Sequence, residues 1–406
     1  MKPKLIVLSI FAATAVTVAL FPTIQTALAN NSTPPTFIEP PAVALPVANI
    51  EHPKIEVVFV LDTTGSMSGL IDAAKEKIWS IASTMASAQN SPDIKMGLVA
   101  YRDRGDEYIT KNVALSSDLD SMYAQLMDFN ADGGGDTPES VNQGLDDAVN
   151  KMSWSQDQQT YKVVFLVGDA PAHMDYQDDM KYPEIMALAK ENGIIINTIQ
   201  SGQDSQTTKN WQQIASLGEG HYFQVEQAGN AVAISSPYDK KMAELSKKLD
   251  DTRLYYGDEE EKRQQAKKES ATRKLHQEAS DEARARRAEF NSAPSGKTNF
   301  LGEGELVDAV ASGRVDLSNI KNEDLPESIQ AMPVEEQHSL IKQKAVERDN
   351  LNKEMKILAD KRNDYIEQEV AASGGKKDSL DAKIFSSIRA QAKNKGLIYD
   401  DDSAKY

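Results

Sequence analysis

Between Lys54 and Leu249 the chain alternates two hydrophobic patterns. Short unbroken apolar runs are followed by longer stretches in which apolar residues recur every third or fourth position. The first pattern marks strands buried on both faces and the second marks amphipathic helices. Ile55 to Leu61 is the first strand, and Leu70 to Ala88, with Leu70, Ile71, Ala74, Ile78, Ile81, Ala82 and Met85 at helical spacing, is the first helix. Strands follow at Ile94 to Tyr101 and Ile109 to Leu115. Only the charged turn Arg102 to Glu107 separates them, which predicts an antiparallel hairpin. Then come a helix at Leu119 to Met127, a Gly133-Gly134-Gly135 turn and a helix from Pro138 to Met152. The series ends with strands at Tyr161 to Val167, Ile194 to Ile199 and His221 to Val225, and helices at Tyr182 to Glu191, Thr207 to Leu217 and Pro237 to Leu249. The alternation predicts an α/β domain: a doubly wound, mostly parallel central sheet with one antiparallel edge hairpin, helices on both faces and right-handed crossovers.

Outside that stretch the pattern changes. Lys2 and Lys4 precede an uncharged apolar run, Leu5 to Phe21, and Ala27-Leu28-Ala29 offers the small residues of an export-signal cleavage site before Asn30. Pro34, Pro35, Pro40, Pro41 and Pro46 make residues 30–53 a Pro-rich linker. After Asp250, Glu259 to Glu289 is dense in Lys, Arg, Glu, Gln and Ala, the pattern of a solvated helix held by i,i+4 charge pairs or part of a coiled coil. Val334 to Ala372 is a long helix whose apolar stripe is interrupted by Arg362. Gly374-Gly375 ends it, and Asp378 to Ala392 is a short amphipathic helix with Leu380, Ile384, Phe385 and Ile388 on one face. The expected organisation is a signal peptide (1–29), a linker (30–53), the α/β domain (54–250), a charged helical linker (251–298) and a helical C-terminal region (299–406).

Charge and composition narrow the function. A formal net charge of -17 argues against nucleic acid and against an anionic membrane surface. With no Cys there is no disulfide, thiol nucleophile or thiolate metal site. After signal cleavage no stretch is long and apolar enough for an integral membrane span. The expected location is outside the cytoplasm, periplasmic or secreted.

Three segments fall at the predicted carboxyl ends of the strands, where open parallel sheets bind ligands. They are Asp62-Thr-Thr-Gly-Ser66, Gly133-Gly-Gly-Asp-Thr137-Pro-Glu-Ser and Val167-Gly-Asp169. Each offers hard oxygen, the donor set of magnesium or manganese. Each also has a plainer reading. Ser, Thr and Asp are helix N-cap residues, Pro138 is a favoured first helical residue, and Asp136 with Glu139 fits a capping box.

Taken together, DTTGSM at Asp62, GGGDTPES at Gly133 and LVGDAPAH at Leu166 resemble the three loops of a von Willebrand factor type A (VWA) domain with an intact metal-ion-dependent adhesion site (MIDAS). AYRDRGDEY at Ala100 is similar to exported bacterial members. The resemblance covers about Lys54 to Leu249. It implies that Asp62, Thr64, Ser66, Thr137 and Asp169 ligate one Mg2+ or Mn2+ ion, with Thr64 where the motif more often has Ser. It further implies a binding protein rather than an enzyme, whose protein ligand donates an Asp or Glu carboxylate to the metal in interaction or adhesion. The other readings are a structural envelope protein with a stabilising ion and a phosphoaspartate-type hydrolase using Asp62. Against the latter, Thr64 stands where soluble relatives have a second Asp. A Ser-His-Asp hydrolase using His173 or His221 lacks a Gly-x-Ser-x-Gly elbow. A domain serving an ATPase would depend on another chain, since this one has no Walker A sequence.

Overall fold

The computed structural model describes residues 52–135, 137–227, 234–372 and 380–399. The export segment, nearly all of the Pro-rich linker, Asp136 and the Gly374-Gly375 helix stop lie outside the described residues.

Six strands form one sheet: β1 (Lys54–Asp62), β2 (Asp93–Tyr101), β3 (Thr110–Ser116), β4 (Tyr161–Gly168), β5 (Ile194–Ser201) and β6 (Glu219–Val225). The order is β3-β2-β1-β4-β5-β6. All neighbours are parallel except β2 and β3, the expected edge hairpin. The continuous apolar runs are explained by burial on both sides. Ile55, Val57, Phe59 and Leu61 of β1 enter the core on one face, and Val58 and Val60 enter the core on the other.

The first face is covered by α1 (Ser68–Ala86) and α2 (Leu119–Met127), and the second by α3 (Val141–Asp146), α4 (Tyr182–Glu191) and α5 (Ser205–Leu217). The chain runs from β1 to β2 on one side and returns to β4 on the other. β1 and β4 therefore flank the point where the strand order reverses, the usual ligand crevice of such sheets.

Helix α3 begins at Val141, not at Pro138. Glu139 uses its backbone elsewhere: its N–H donates to Pro171 O at 2.9 Å, and its carbonyl accepts from His173 N at 3.1 Å. That carbonyl also accepts from Val141 N, and Ser140 has the non-helical φ of -75° and ψ of 48°, so the helical ladder starts only at Val141.

The chain continues as α6 (Asp239–Asp251), α7 (Glu259–Glu278), α8 (Asp281–Ser292), α9 (Lys297–Leu301), α10 (Leu306–Ala311), α11 (Glu327–Gln330), α12 (Val334–Ala372) and α13 (Leu380–Ala392). Of these helices α7, α8 and α13 pack against the α/β core, and α9 to α12 build two further apolar clusters. Leu275, Ala283, Phe290, Ile384, Phe385 and Ile388 belong to the same apolar cluster as β1 and α1.

The reading of Glu259 to Glu289 as a solvated helix is therefore corrected. The segment is two helices, and its Arg286 and Arg287 are buried. Arg287 lies between two carboxylates: its Nε donates to Asp120 Oδ1 at 2.6 Å, and its NH1 donates to Asp250 Oδ2 at 2.8 Å. Thr272 Oγ1 donates to Asp120 Oδ2 at 2.9 Å, and Asn299 Oδ1 accepts from the Asp120 amide at 3.1 Å. Arg362, which breaks the stripe of α12, is buried and donates to Asp239. Arg348 makes a two-pronged pair with Glu305 at 3.0 and 2.9 Å. Composition suggested solvation because the partners of these charges lie far away in sequence. Once paired and hydrogen-bonded, the charges can be buried.

Burial alone would raise the Asp120 and Asp250 pKa values. The Arg287 charge and its hydrogen bonds, joined at Asp250 by the Arg253 charge and the His276 hydrogen bond, outweigh burial and hold both below the usual carboxylate range. Carboxylates depressed in this way stabilise the fold above their unfolded pKa near 4 and lose that contribution as pH falls through the folded values. Arg287→Met leaves both carboxylates buried without their main counter-charge. It should cost about 3–5 kcal/mol at neutral pH in urea unfolding. Without the arginine, burial raises the Asp120 pKa, while Asp250 keeps Arg253 and His276, so the gap to the wild type should narrow as pH is lowered toward 4.

Candidate metal centre

Asp62 is the last residue of β1 and is 1% exposed. Its Oδ1 accepts from the Thr64 amide at 2.9 Å and from Thr64 Oγ1 at 2.7 Å. Thr64 Oγ1 is in turn 3.4 Å from Ser66 Oγ. The spacing Asp62-x-Thr64-x-Ser66 thus brings three oxygen side chains together on one tight turn. None of them caps a helix by its side chain: Thr64 precedes a short 3-10 turn (Gly65–Met67) without a capping bond, and α1 starts at Ser68. The plainer helix-cap reading of this stretch is set aside.

Asp62 Oδ2 is buried and has no hydrogen-bond partner. Burial pushes the Asp62 pKa up to about 7, the two Thr64 bonds oppose that rise, and the nearby Asp169 charge reinforces it. Register sets β4 beside it: Leu61 pairs with Val167, so Gly168 and Asp169 follow next to Asp62. Only Gly fits there. A methyl on Gly168 would stand 2.5 Å from Tyr101 Oη, 2.8 Å from Asp62 Cβ and 3.0 Å from Asp62 Oδ2. Tyr101 Oη is likewise buried without a partner. Its pKa is pushed well up, first by burial and then by the charges of Asp62, Glu139 and Asp169. Asp169 Oδ2 accepts from Gln227 Nε2 at 2.7 Å, and that amide also reaches Ser66 O at 3.5 Å. Gln227 therefore ties the first loop to the third.

The second loop comes in as backbone and as a carboxylate. Gly65 N donates to Gly133 O at 3.1 Å, and Asp132 N donates to Thr63 O at 3.1 Å. The Gly134 amide donates to Asp106 Oδ2 at 3.1 Å. Gly133 and Gly134 adopt φ of 74° and 76°, where glycine is favoured. Thr137 is exposed, and no hydrogen bond among the described residues joins its side chain to Asp62 or Ser66. Glu139, two residues on, is 4% exposed and has an unpartnered Oε2. Its pKa is pushed up to about 9, first by burial and then by Asp62, Asp103, Asp106 and Asp169.

His173 is buried: its Nδ1 pairs with Asp175 Oδ1 at 2.7 Å and its Nε2 with the Tyr176 hydroxyl at 3.1 Å. Ser140 Oγ and the Tyr176 hydroxyl both donate to Asp103, which anchors the loops beside the site. His221 lies exposed on β6.

The structure thus assembles Asp62, Thr64 and Ser66, sets Asp169 beside them, and leaves Thr137, like Ser66, exposed. Sequence reasoning missed Glu139, Gln227 and Tyr101. Glu139 had a signal, an acid in the same short motif, but it was read only as part of a helix cap. Gln227 and Tyr101 carried none.

The donor chemistry fits a hard cation. One carboxylate oxygen is dry and unpaired, two hydroxyls lie beside it, and several carboxylates raise one another's pKa values. Among the described residues, no three Asp, Glu, His or Cys side chains stand close enough to hold an ion alone. A site here would rest on hydroxyls as well as carboxylates.

Residues 56–236 match the family model described as von Willebrand factor A domain, and that stretch has a VWA-like fold. The chain is 25% identical over 202 residues, 48% of its length, to an alpha-protein kinase, vwkA, of Dictyostelium discoideum. It spans only 28% of that relative. Among solved structures, proximal thread matrix protein 1 from the mussel byssus, with a zinc-occupied MIDAS motif, aligns at 16% identity with a TM-score of 0.35. The alignment covers 43% of this chain and 42% of that one. The SpRpn10 VWA domain aligns at 14% identity with a TM-score of 0.33, over 44% of this chain and 90% of that one.

Because Gly168 has no room for a methyl, Gly168→Ala should cost about 1–3 kcal/mol in chelator-treated protein. Urea unfolding checks this. A neutral result would mean that Asp62 and Tyr101 can move apart freely.

Proposed function

We propose that this chain binds one divalent cation, Mg2+ or Mn2+, at the carboxyl ends of β1 and β4, and uses it for metal-dependent interaction with a protein partner. The observation that carries this is the buried, unpartnered Oδ2 of Asp62 beneath exposed loop tips. A buried carboxylate oxygen without a donor is costly, and a cation relieves that cost. Asp62, Thr64, Ser66, Thr137 and Asp169 would hold the ion. When bound, it supplies a positive charge that a partner's Asp or Glu side chain can meet.

The residues of the chain do the rest. Thr64 fixes the Asp62 carboxylate through two hydrogen bonds, and Gln227 holds Asp169 toward the first loop. Ser66 and Thr137 are exposed, so an incoming group can reach them. The arrangement favours binding over bond breaking: His173 is engaged with Asp175 and Tyr176, and among the described residues no hydrogen bond joins its ring to a serine or threonine hydroxyl. The family match and the export-type N-terminus support a VWA protein of the exported bacterial kind, periplasmic or secreted. Among the described residues, no helix is long and apolar enough to cross a membrane.

The test is calorimetry of the full chain after chelator treatment. The wild type should bind one equivalent of Mg2+ or Mn2+, and Asp62→Ala should abolish binding. Equal binding by both would remove Asp62 from the site. For partner capture, pull-down from envelope or surface material should be lost with chelator and with Asp62→Ala. A partner indifferent to both would place the interaction elsewhere.

A further inference from the structure

The second loop brings in a carboxylate that the five-residue ligand set leaves out. Glu139 is 4% exposed and held in place by its own backbone. The bridge to the Pro171–His173 segment uses both its N–H and its carbonyl, so its backbone position is set where the second and third loops meet. It stands against the first loop: a methyl on Gly134 would be 3.4 Å from Glu139 Oε1 and 3.0 Å from Thr64 Cβ. The carboxylate and the threonine that holds Asp62 therefore both lie beside Gly134.

The charges facing Glu139 are Asp62, Asp103, Asp106 and Asp169. Three of those four have donors from the protein that Glu139 does not share. Asp103 accepts from Ser140 and Tyr176, Asp106 from the Gly134 amide and Asp169 from Gln227. The Glu139 Oε2 and Asp62 Oδ2 atoms have none. The Tyr101 hydroxyl faces the Asp62 carboxylate and can serve it, whereas Glu139 Oε2 has no donor among the described protein groups and calls for one. Among the described residues no three acidic, His or Cys side chains are grouped to hold an ion by themselves, so the role that Glu139 would take is a water-bridged one. Magnesium and manganese suit that role, since small hard cations keep part of their hydration shell.

Resting on the cation site proposed above, we propose that Glu139 is a positioning residue of that site. Its carboxylate accepts a hydrogen bond from a water in the cation's hydration shell and so sets the ion against Thr64 and Asp62. Outer partners of this kind are typically worth about 10–100-fold in metal affinity.

The experiment uses the full chain, stripped with chelator and titrated with MnCl2 in a calorimeter. Wild type, Glu139→Gln, Glu139→Asp and Asp62→Ala are compared, and the melting midpoint of each metal-free protein is read by circular dichroism. Glu139→Gln keeps the shape and removes the charge. It should bind Mn2+ about 10–100-fold more weakly with an unchanged metal-free midpoint. Glu139→Asp keeps the charge on a shorter arm and should recover part of that loss. Wild-type affinity in Glu139→Gln, with binding lost in Asp62→Ala, overturns this inference and leaves the cation site standing. Equal losses in the Gln and Asp variants with lowered midpoints mark Glu139 as structural and also overturn it. A wild type that binds no Mn2+ removes the cation site and this inference together.

Discussion

The structure depends on one carboxylate taken out of water. Asp62 ends a strand buried on both faces, and its position is set by the sheet rather than by solvent. Burying an acid there raises its pKa, and only one of its two oxygens is satisfied by the protein. Much of the surrounding sequence answers to that constraint. Gly168 has no side chain because one would collide with Asp62 and Tyr101. Thr64 turns its hydroxyl back to Oδ1, and Gln227 spans the loops to hold Asp169. The three loops are joined by backbone bonds from Gly65 to Gly133 and from Glu139 to the third loop, so the site is a single built object.

A second constraint holds the helical part of the chain to the first. Arg287 of α8 is buried against Asp120 of α2 and Asp250 of α6. At the other end of the molecule, Gln391 of α13 exchanges hydrogen bonds with Asn197 of β5 and accepts from Tyr161 of β4. Lys77 of α1 pairs with Asp381 at 3.0 Å. Such buried polar groups specify where the helices sit more than they add net stability. They also mean that the sheet is not finished at the end of α6, and the apolar surface of its first face is completed by residues from the far C-terminus.

The sheet was largely legible because burial on two faces leaves unbroken apolar runs, and the β2–β3 hairpin was legible from its short charged turn. The long helix starts at Val334 as expected and is continuous to Ala372, the last described residue of that stretch. The charged helices were misread because sequence shows charges but not partners: Arg287 and Asp120 are 167 residues apart. At the site, the cluster of Asp62, Thr64 and Ser66 was written in alternate positions of one turn. Glu139 was not, because its role comes from a bridge between loops that only the fold creates. Thr137, named by motif, is exposed.

The most direct measurement of the central claim is anomalous diffraction from crystals of the full chain soaked in Mn2+. One manganese peak is expected within about 2–2.5 Å of an Asp62 carboxylate oxygen, at the carboxyl ends of β1 and β4. Crystals that take up manganese elsewhere, with Asp62 Oδ2 still unpaired, would contradict the account.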